Sequence, residues 1–171
     1  MAAKLVDEAA YNCTYYQSPI GLMQICGTNH IINEIKFIDK EEDIVIPAGF
    51  TPLLQQCVDE LIEYFNGKLT KFTMPVNQPG TPFQQRVWGE LMNINYGKTI
   101  SYAMLAKRLG DPNCIRAAAA SNGKNNLLII IPCHRVIGTN QSLVGYAGGL
   151  WRKKWLLDLE NKVANGVQYL F

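Results

Sequence analysis

The sequence lacks several features that would each have placed the protein in a particular class. No apolar run approaches the roughly 20 residues needed to cross a bilayer, so we expect no membrane association by a spanning helix. The first eight residues lack the charged-then-apolar order of a secretion signal. We therefore expect a cytoplasmic protein, or a nuclear one if the source is eukaryotic.

Patterns typical of metal sites and disulfide frameworks are also poorly represented. The chain has no Cys-x-x-Cys and only two histidines, His30 and His134. Its five cysteines are odd in number and scattered, which favours reduced thiols over a disulfide framework. Cys13, Cys26 and His30 are a set that could be argued for zinc, but such residues on neighbouring strands more often simply pack. We predict no metal and no cofactor.

Charge is present in ordinary amount but unevenly distributed. Residues 1–79 carry 5 Lys/Arg and 10 Asp/Glu, whereas residues 80–171 carry 11 Lys/Arg and 4 Asp/Glu. A basic half beside an acidic half predicts that the second half meets a polyanion and the first does not.

The first half predicts a sheet-and-helix domain over residues 1–78. Short Tyr-, Ile- and Thr-rich segments separated by turn signals indicate an antiparallel meander. They are Tyr11–Tyr16, Gly21–Cys26 and Ile31–Ile38, with Ile44–Ile46 as a further short strand. Thr51 as N-cap and Pro52 in the first turn then predict a helix that closes at Asn66-Gly67.

The second half, residues 79–171, predicts a helical domain with a helix-turn-helix. Thr81 and Gln84 form a capping box. Two short helices are joined by Gly110-Asp111-Pro112, and the second, starting at that Asp-Pro, carries Arg116 followed by four alanines. Such a helix either packs tightly in a core or lies in a narrow minor groove without reading sequence, with Arg116 wedged into the base stack.

The candidate chemistry centres on Pro132-Cys133-His134-Arg135-Val136. The apolar run 127–131 just upstream predicts a buried strand that ends at Pro132. Cys133, His134 and a downstream Glu160 on a predicted helix supply a nucleophile, a base and an orienting carboxylate. Taken alone, the pair would more often be a buried cysteine beside a surface histidine.

Several segments between residues 81 and 160 resemble the O(6)-alkylguanine-DNA alkyltransferases, also called methylated-DNA–protein-cysteine methyltransferases. They are Thr81–Trp88, Gly97–Tyr102, Arg116-Ala117, Asn122–Asn125, Ile131–Ile137, Gly145–Gly149 and Trp155–Leu157 with Glu160. The resemblance implies an α/β (α+β) fold, with an RNase H-like sheet-and-helix domain followed by a winged helix-turn-helix-like domain. Two positions depart from the family pattern. Asn126 stands where family members commonly have a proline, and Ala147 stands where some members have a serine.

The resemblance also implies an activity: direct-reversal repair, in which an alkyl group moves once and irreversibly from guanine O(6) to Cys133 after base flipping. The implied partner is double-stranded DNA carrying alkylated guanine, bound through its minor groove by a monomer. The implied catalytic residues are Cys133, His134, Glu160, Tyr102 as proton donor and Asn125 as hinge. The implied DNA contacts are Arg116, Ala117, Ala118, Ala119, Ser121, Asn122 and Arg135. The implied pocket residues are Val136, Tyr146, Ala147 and Gly148.

Two other interpretations remain open from the residues. A non-repairing DNA-binding module would lack the reactive cysteine, which is present here. A Cys-His-Glu hydrolase would need an oxyanion hole and would not need a basic helix-turn-helix.

Overall fold

The computed structural model describes residues 11–44 and 49–166. The chain divides into two compact units, Met1–Gln78 and Pro79–Phe171, called here the N-terminal unit and the C-terminal unit. The described residues combine a small sheet with several helices, which confirms the predicted mixed α/β class. Within these ranges we find no helix with the length and apolar character required to cross a membrane.

The N-terminal unit is built on the predicted antiparallel meander. Strands β1 (Asn12–Ser18), β2 (Gly21–Gly27) and β3 (Ile32–Phe37) pair in that order. The Ser18 hydroxyl closes the first turn by donating to Gly21 O at 2.7 Å. Opposed residues such as Ile25 and Ile35 are fully buried, so the meander presents an apolar face to its core.

One helix packs on this sheet, at the predicted position. Helix α1 (Pro52–Phe65) begins after Thr51, whose side chain accepts a hydrogen bond from Leu54 N at 3.2 Å. Asn66 caps its C-terminus, and Gly67 follows with φ +73°. The predicted strand at 44–46 lies largely outside the described residues.

The prediction of reduced thiols is wrong for one pair. Cys13 and Cys26 are directly opposed across β1 and β2, and they form a disulfide. Cys57, Cys114 and Cys133 are free. The odd cysteine count concealed this pair, because hairpin register, and not spacing along the chain, decides which residues face each other.

The C-terminal unit begins with the predicted capping box. Helix α2 (Pro82–Leu91) follows Thr81, which accepts from Gln84 N, while Gln84 Oε1 accepts from Thr81 N. Strand β4 (Ile100–Ser101) leads into helix α3 (Tyr102–Arg108), and α3 packs on helix α4 (Ile115–Gly123).

Helix α4 begins later than predicted. Asp111 Oδ1 accepts from Asn113 N at 2.9 Å, and Cys114 N donates to Asp111 O at 3.1 Å. Residues 111–114 therefore form a turn between α3 and α4. An aspartate before a proline can start a turn as readily as a helix, which is why the sequence pattern misled.

The predicted buried strand at 127–131 is also wrong. All five residues are buried, but they form a turn in which Ile131 N donates to Leu127 O at 3.0 Å. Ile129 has φ +74°, which no strand accommodates. A short apolar run carries no period, so it predicts burial but not the type of structure.

Two elements complete the unit. Strand β5 (Val136–Ile137) pairs in parallel with β4. Helix α5 (Leu150–Asn165) follows Gly149, which has φ +91°. Glu160 lies on α5, as predicted, and is fully buried.

Candidate active site

Cys133 begins a single turn of 3₁₀ helix, Cys133–Arg135, directly after Pro132. The side chain of Asn125 holds this region from the end of α4. Its Nδ2 donates to Ile131 O at 2.8 Å, and its Oδ1 accepts from Leu127 N at 2.9 Å. These bonds tie α4 to the turn that presents Cys133, which is the arrangement expected of a hinge asparagine.

The Cys133 thiol is protonated at neutral pH. Burial raises its pKa to about 11, against opposing effects from the Asn125 side chain and the Lys153 ammonium. Positive charge nearby favours the thiolate, but desolvation of the fully buried thiol outweighs it.

His134, Arg135 and Glu160 form a buried cluster beside Cys133. His134 Nε2 lies 2.7 Å from Glu160 Oε1. Arg135 donates through Nε to Glu160 Oε2 at 2.8 Å and through Nη2 to Oε1 at 2.9 Å. Its Nη1 donates to Ile94 O at 2.7 Å. The carboxylate therefore orients the imidazole on one side and is neutralised by a bidentate guanidinium on the other.

The cluster determines which nitrogen of His134 can act as a base. Burial alone would raise the pKa of Glu160, but the facing His134 and Arg135 outweigh burial and hold that pKa well below its usual range. Burial lowers the pKa of His134, so its imidazole is neutral near pH 7. An ionised carboxylate only accepts, so Nε2 carries the proton and Nδ1 keeps its lone pair. Among the described residues, Nδ1 has no hydrogen-bond partner.

Tyr102 stands at the start of α3 and points towards this region. Its hydroxyl lies 3.3 Å from Val144 O, to which it donates, and 3.3 Å from Asn122 Nδ2, from which it accepts. Burial and then the nearby Cys133 raise its pKa, with only partial compensation by Asn122. The phenol is therefore protonated and able to donate.

The predicted pocket residues lie on β5 and on the loop before α5. Val136 and Gly148 are buried, and Ala147 is exposed. Tyr146 buries its hydroxyl, for which the described residues supply no partner. Burial and the nearby Cys133 raise the pKa of Tyr146 well above its ordinary value. Tyr146 and Tyr102 thus both lie within electrostatic range of the sulfur.

Lys153 is a buried functional group that the sequence argument missed. Its Nζ donates to Val136 O at 2.6 Å, Val144 O at 2.9 Å and Gly145 O at 3.1 Å, which ties the pocket loop to β5. Burial lowers its pKa to about 8, opposed by Cys133. Its spacing of seven residues before Glu160 on one helix face was the available signal.

The predicted DNA contacts divide into two groups. Arg116 and Ala117 are exposed and Ala119 is partly exposed. The other four are buried: Ala118, Ser121, Asn122 and Arg135. Ser121 O accepts from Trp88 Nε1 at 2.9 Å, which fixes α4 on α2. Asn122 and Arg135 contact Tyr102 and Glu160, respectively, inside the C-terminal unit.

Within residues 11–44 and 49–166, no group of three or more His, Cys, Asp or Glu side chains could hold a metal ion. Of the residues considered for zinc, Cys13 and Cys26 are bonded to each other, and His30 is exposed.

Comparison with known proteins identifies the family of both units. Residues 12–78 match the ribonuclease-like domain of the 6-O-methylguanine DNA methyltransferase family, and residues 82–162 match its DNA binding domain. A methylated-DNA–protein-cysteine methyltransferase of Mycobacterium leprae is 40% identical over 152 residues, which cover 87% of this chain and 92% of that protein.

Solved structures give the same result. The crystal structure of Mycobacterium tuberculosis O6-methylguanine methyltransferase matches with a TM-score of 0.82 and 37% identity, over 92% of this chain and 96% of that chain. A crystal structure of Mycobacterium tuberculosis OGT in complex with DNA matches with a TM-score of 0.77 and 39% identity, over 87% and 92% of the two chains.

Proposed function

Because this chain belongs to the 6-O-methylguanine DNA methyltransferase family, we propose that it repairs O(6)-alkylated guanine in DNA by moving the alkyl group to Cys133. The observation that carries the assignment is the position of Cys133, buried on a fixed turn next to the His134–Glu160–Arg135 cluster. Cys57 lies on the buried face of α1, and the described residues place no histidine there.

The transfer is a displacement at the alkyl carbon. The thiol proton of Cys133 passes to His134 Nδ1 through a water, while Glu160 stabilises the imidazolium that forms. The sulfur then forms a bond to the alkyl carbon, and the carbon–oxygen bond breaks with its electron pair moving onto the guanine. Tyr102 donates a proton to the departing base and is reprotonated at the expense of His134. The net result is a thioether and an unmodified guanine that holds the proton once carried by the thiol.

The thioether makes the reaction irreversible and limits each molecule to one turnover. Breaking an alkyl–sulfur bond would need an external nucleophile, and the groups assembled around Cys133 act as a base, an acid and orienting partners. Every group in the proposed step lies in the C-terminal unit of one chain, which supports a protein that acts as a monomer.

The proposed DNA-binding surface is the exposed side of α4. Arg116 and Ala117 stand at its first turn, and the excess of Lys/Arg over Asp/Glu in residues 80–171 supplies a non-specific attraction to phosphate. A helix of alanines presents no long polar tips to read a major groove, so we assign it to the minor groove of double-stranded DNA. Arg116 would occupy the gap left by a flipped guanine. Such a protein works in the compartment that holds the DNA.

Mass measurement after reaction with DNA carrying O(6)-methylguanine tests the assignment. We expect one methyl group per protein molecule, on the peptide that contains Cys133, and no methylation of Cys133→Ser. The matched control is Cys57→Ser, which should be methylated like the parent protein. Methylation of a different cysteine, or repair of more than one guanine per molecule, would contradict the proposal.

A further inference from the structure

We infer that Asn122 is a positioning residue for alkyl transfer: its side-chain amide links the backbone of Cys133 to the hydroxyl of Tyr102 and determines the direction in which that hydroxyl donates. The inference rests on the proposed function, in which Tyr102 protonates the departing guanine. It gives Asn122 a different role from the DNA contact that the family resemblance implied.

The position of Asn122 argues against a DNA contact. Asn122 is only 4% exposed, and it lies near the C-terminal end of α4, on the same buried face as Ala118 and Ser121. Arg116 and Ala117 are exposed at the other end of the helix. A side chain of α4 that points into the unit contacts buried residues of that unit and not the DNA.

The contacts of Asn122 determine the orientation of its amide. The side chain lies 3.4 Å from Cys133 O, which can only accept a hydrogen bond. The atom facing it must therefore be the amide nitrogen. The same nitrogen lies 3.3 Å from the Tyr102 hydroxyl. Asn122 Nδ2 thus has two protons and two acceptors, one on the nucleophile's own backbone and one on the proton donor.

This orientation imposes a direction on Tyr102. Because the hydroxyl oxygen accepts from Asn122, its single proton is free to point only away from α4. In the structure it points to Val144 O, at 3.3 Å, on the loop that carries Tyr146. Lys153 Nζ also donates to Val144 O, at 2.9 Å, so this carbonyl already has a second donor. The Tyr102 proton can therefore be redirected to a bound base without leaving Val144 O unpaired.

A purely structural role explains Asn122 poorly. Its Oδ1 is buried and finds no partner among the described residues. An unpaired buried acceptor is destabilising, so the amide oxygen of Asn122 adds nothing to the stability of the fold. The amide nitrogen makes the side-chain contacts, one to the backbone of the proposed nucleophile and one to the hydroxyl of the proposed proton donor.

A double-mutant cycle tests the inference in the full-length protein. The variants are Asn122→Ala, Asn122→Leu, Tyr102→Phe and each Asn122 change combined with Tyr102→Phe. Two quantities are measured: the single-turnover transfer rate at saturating O(6)-methylguanine duplex, and the affinity for the same duplex without the methyl group. The melting temperature of each variant reports its folding. If Asn122→Ala destabilises the protein, Asn122→Leu is used in its place. The exposed Asn93→Ala is the matched control.

We expect Asn122→Ala and Asn122→Leu to slow transfer about tenfold, with DNA affinity changed less than about twofold. Tyr102→Phe should slow transfer by roughly 10²-fold or more, as is typical of a lost general acid. In the Tyr102→Phe background, changing Asn122 should slow transfer by less than about twofold, because no hydroxyl remains to be directed. Asn93→Ala should match the parent protein.

The possible failures are distinguishable. If Tyr102→Phe keeps the parent rate, Tyr102 is not the proton donor, and that part of the proposed function falls together with the inference. If Tyr102→Phe is slow but the Asn122 loss is additive, or appears in DNA affinity, the inference alone is overturned. Retention of the parent rate by Asn122→Leu would overturn it as well.

Discussion

Cys57 in the N-terminal unit and Cys133 in the C-terminal unit are both buried and free, yet their surroundings differ in kind. Burial and then Glu60 raise the pKa of Cys57 to about 12, and Cys57 belongs to the apolar face of α1. Burial raises the pKa of Cys133 to about 11, but Asn125 and Lys153 act in the opposite direction, and a neutral His134 follows it in the chain.

The difference shows that burial is not what makes a cysteine a nucleophile. Burial protects both thiols by keeping them protonated. Among the described residues, the surroundings of Cys133 add a base with a free nitrogen, an ionised carboxylate that orients the base, and a nearby ammonium. A thiol held neutral until substrate arrives avoids side reactions, and the base can then remove its proton during the displacement. The following predictions, from largest to smallest effect on transfer, test this comparison.

Removal of the base should have the largest effect. We expect His134→Ala to slow transfer from DNA by about 10²- to 10⁴-fold, the usual contribution of a general base. The exposed His30→Ala, in the N-terminal unit, should have no effect. Single-turnover rates with O(6)-methylguanine DNA provide the measurement, and equal losses in the two variants would contradict the role of His134.

The pH dependence of the transfer rate also tests His134 as the base, and the direction of that dependence can be predicted. Burial lowers the pKa of His134 below its ordinary 6.5, so the parent rate should be level near pH 7 and fall as pH drops through that lowered value. Without the base, transfer depends on spontaneous thiolate. The rate of His134→Ala should therefore rise about tenfold per pH unit towards the Cys133 pKa of about 11. A flat profile for His134→Ala would show that deprotonation does not limit transfer.

Removal of the charge near the sulfur should make Cys133 more like Cys57. Lys153→Met leaves the carbonyls of Val136, Val144 and Gly145 without their shared donor. We expect a stability loss of about 1–3 kcal/mol, a higher Cys133 pKa and transfer slowed about tenfold. Lys154→Met is the control, since Lys154 pairs with Asp158 on a part-exposed side of α5. Urea unfolding and the pH dependence of Cys133 alkylation measure both effects.

Arg116 lies in the basic unit, and its removal should slow transfer by an amount that depends on the substrate. Arg116→Ala should slow repair of duplex DNA several-fold, about tenfold at most, and leave transfer from a free O(6)-alkylguanine base unchanged. The free base needs no unstacking, so the arginine has nothing to replace. Lys68→Ala, in the acidic N-terminal unit, should affect neither substrate. Equal losses of Arg116→Ala on both substrates would instead indicate a role in the fold or the pocket.

The disulfide should have the smallest effect on transfer. Cys13→Ser combined with Cys26→Ser removes a cross-link within the N-terminal unit. We expect that unit to lose about 2–4 kcal/mol of stability, while the transfer rate stays within twofold of the parent value. Denaturant unfolding and single-turnover rates measure the two. A large loss of transfer in folded protein would show that the N-terminal unit contributes to the chemistry.

Local signals in the sequence were enough for many elements. The meander, the Thr51 and Thr81 caps and the helix that carries Glu160 were all predicted correctly, because each depends on residues within one or two turns. The apolar run at 127–131 and the Asp111-Pro112 pair failed for the opposite reason. Each pattern is compatible with two local structures, and packing selected the turn in both cases.

By itself, the sequence determined that this chain folds as a sheet-and-helix half followed by a basic helical half, and that a Pro-Cys-His-Arg segment lies in the second. Those properties follow from period, caps, composition and motif. The tertiary structure alone decided the partners of that segment. Arg135 donates to Glu160, Asn122 donates to Tyr102 and to Cys133 O, and Lys153 donates to Val144 O on the pocket loop. Hydrogen bonds between residues far apart in the chain, and the desolvation that sets the pKa of Cys133, exist only once the elements pack, so no local pattern records them.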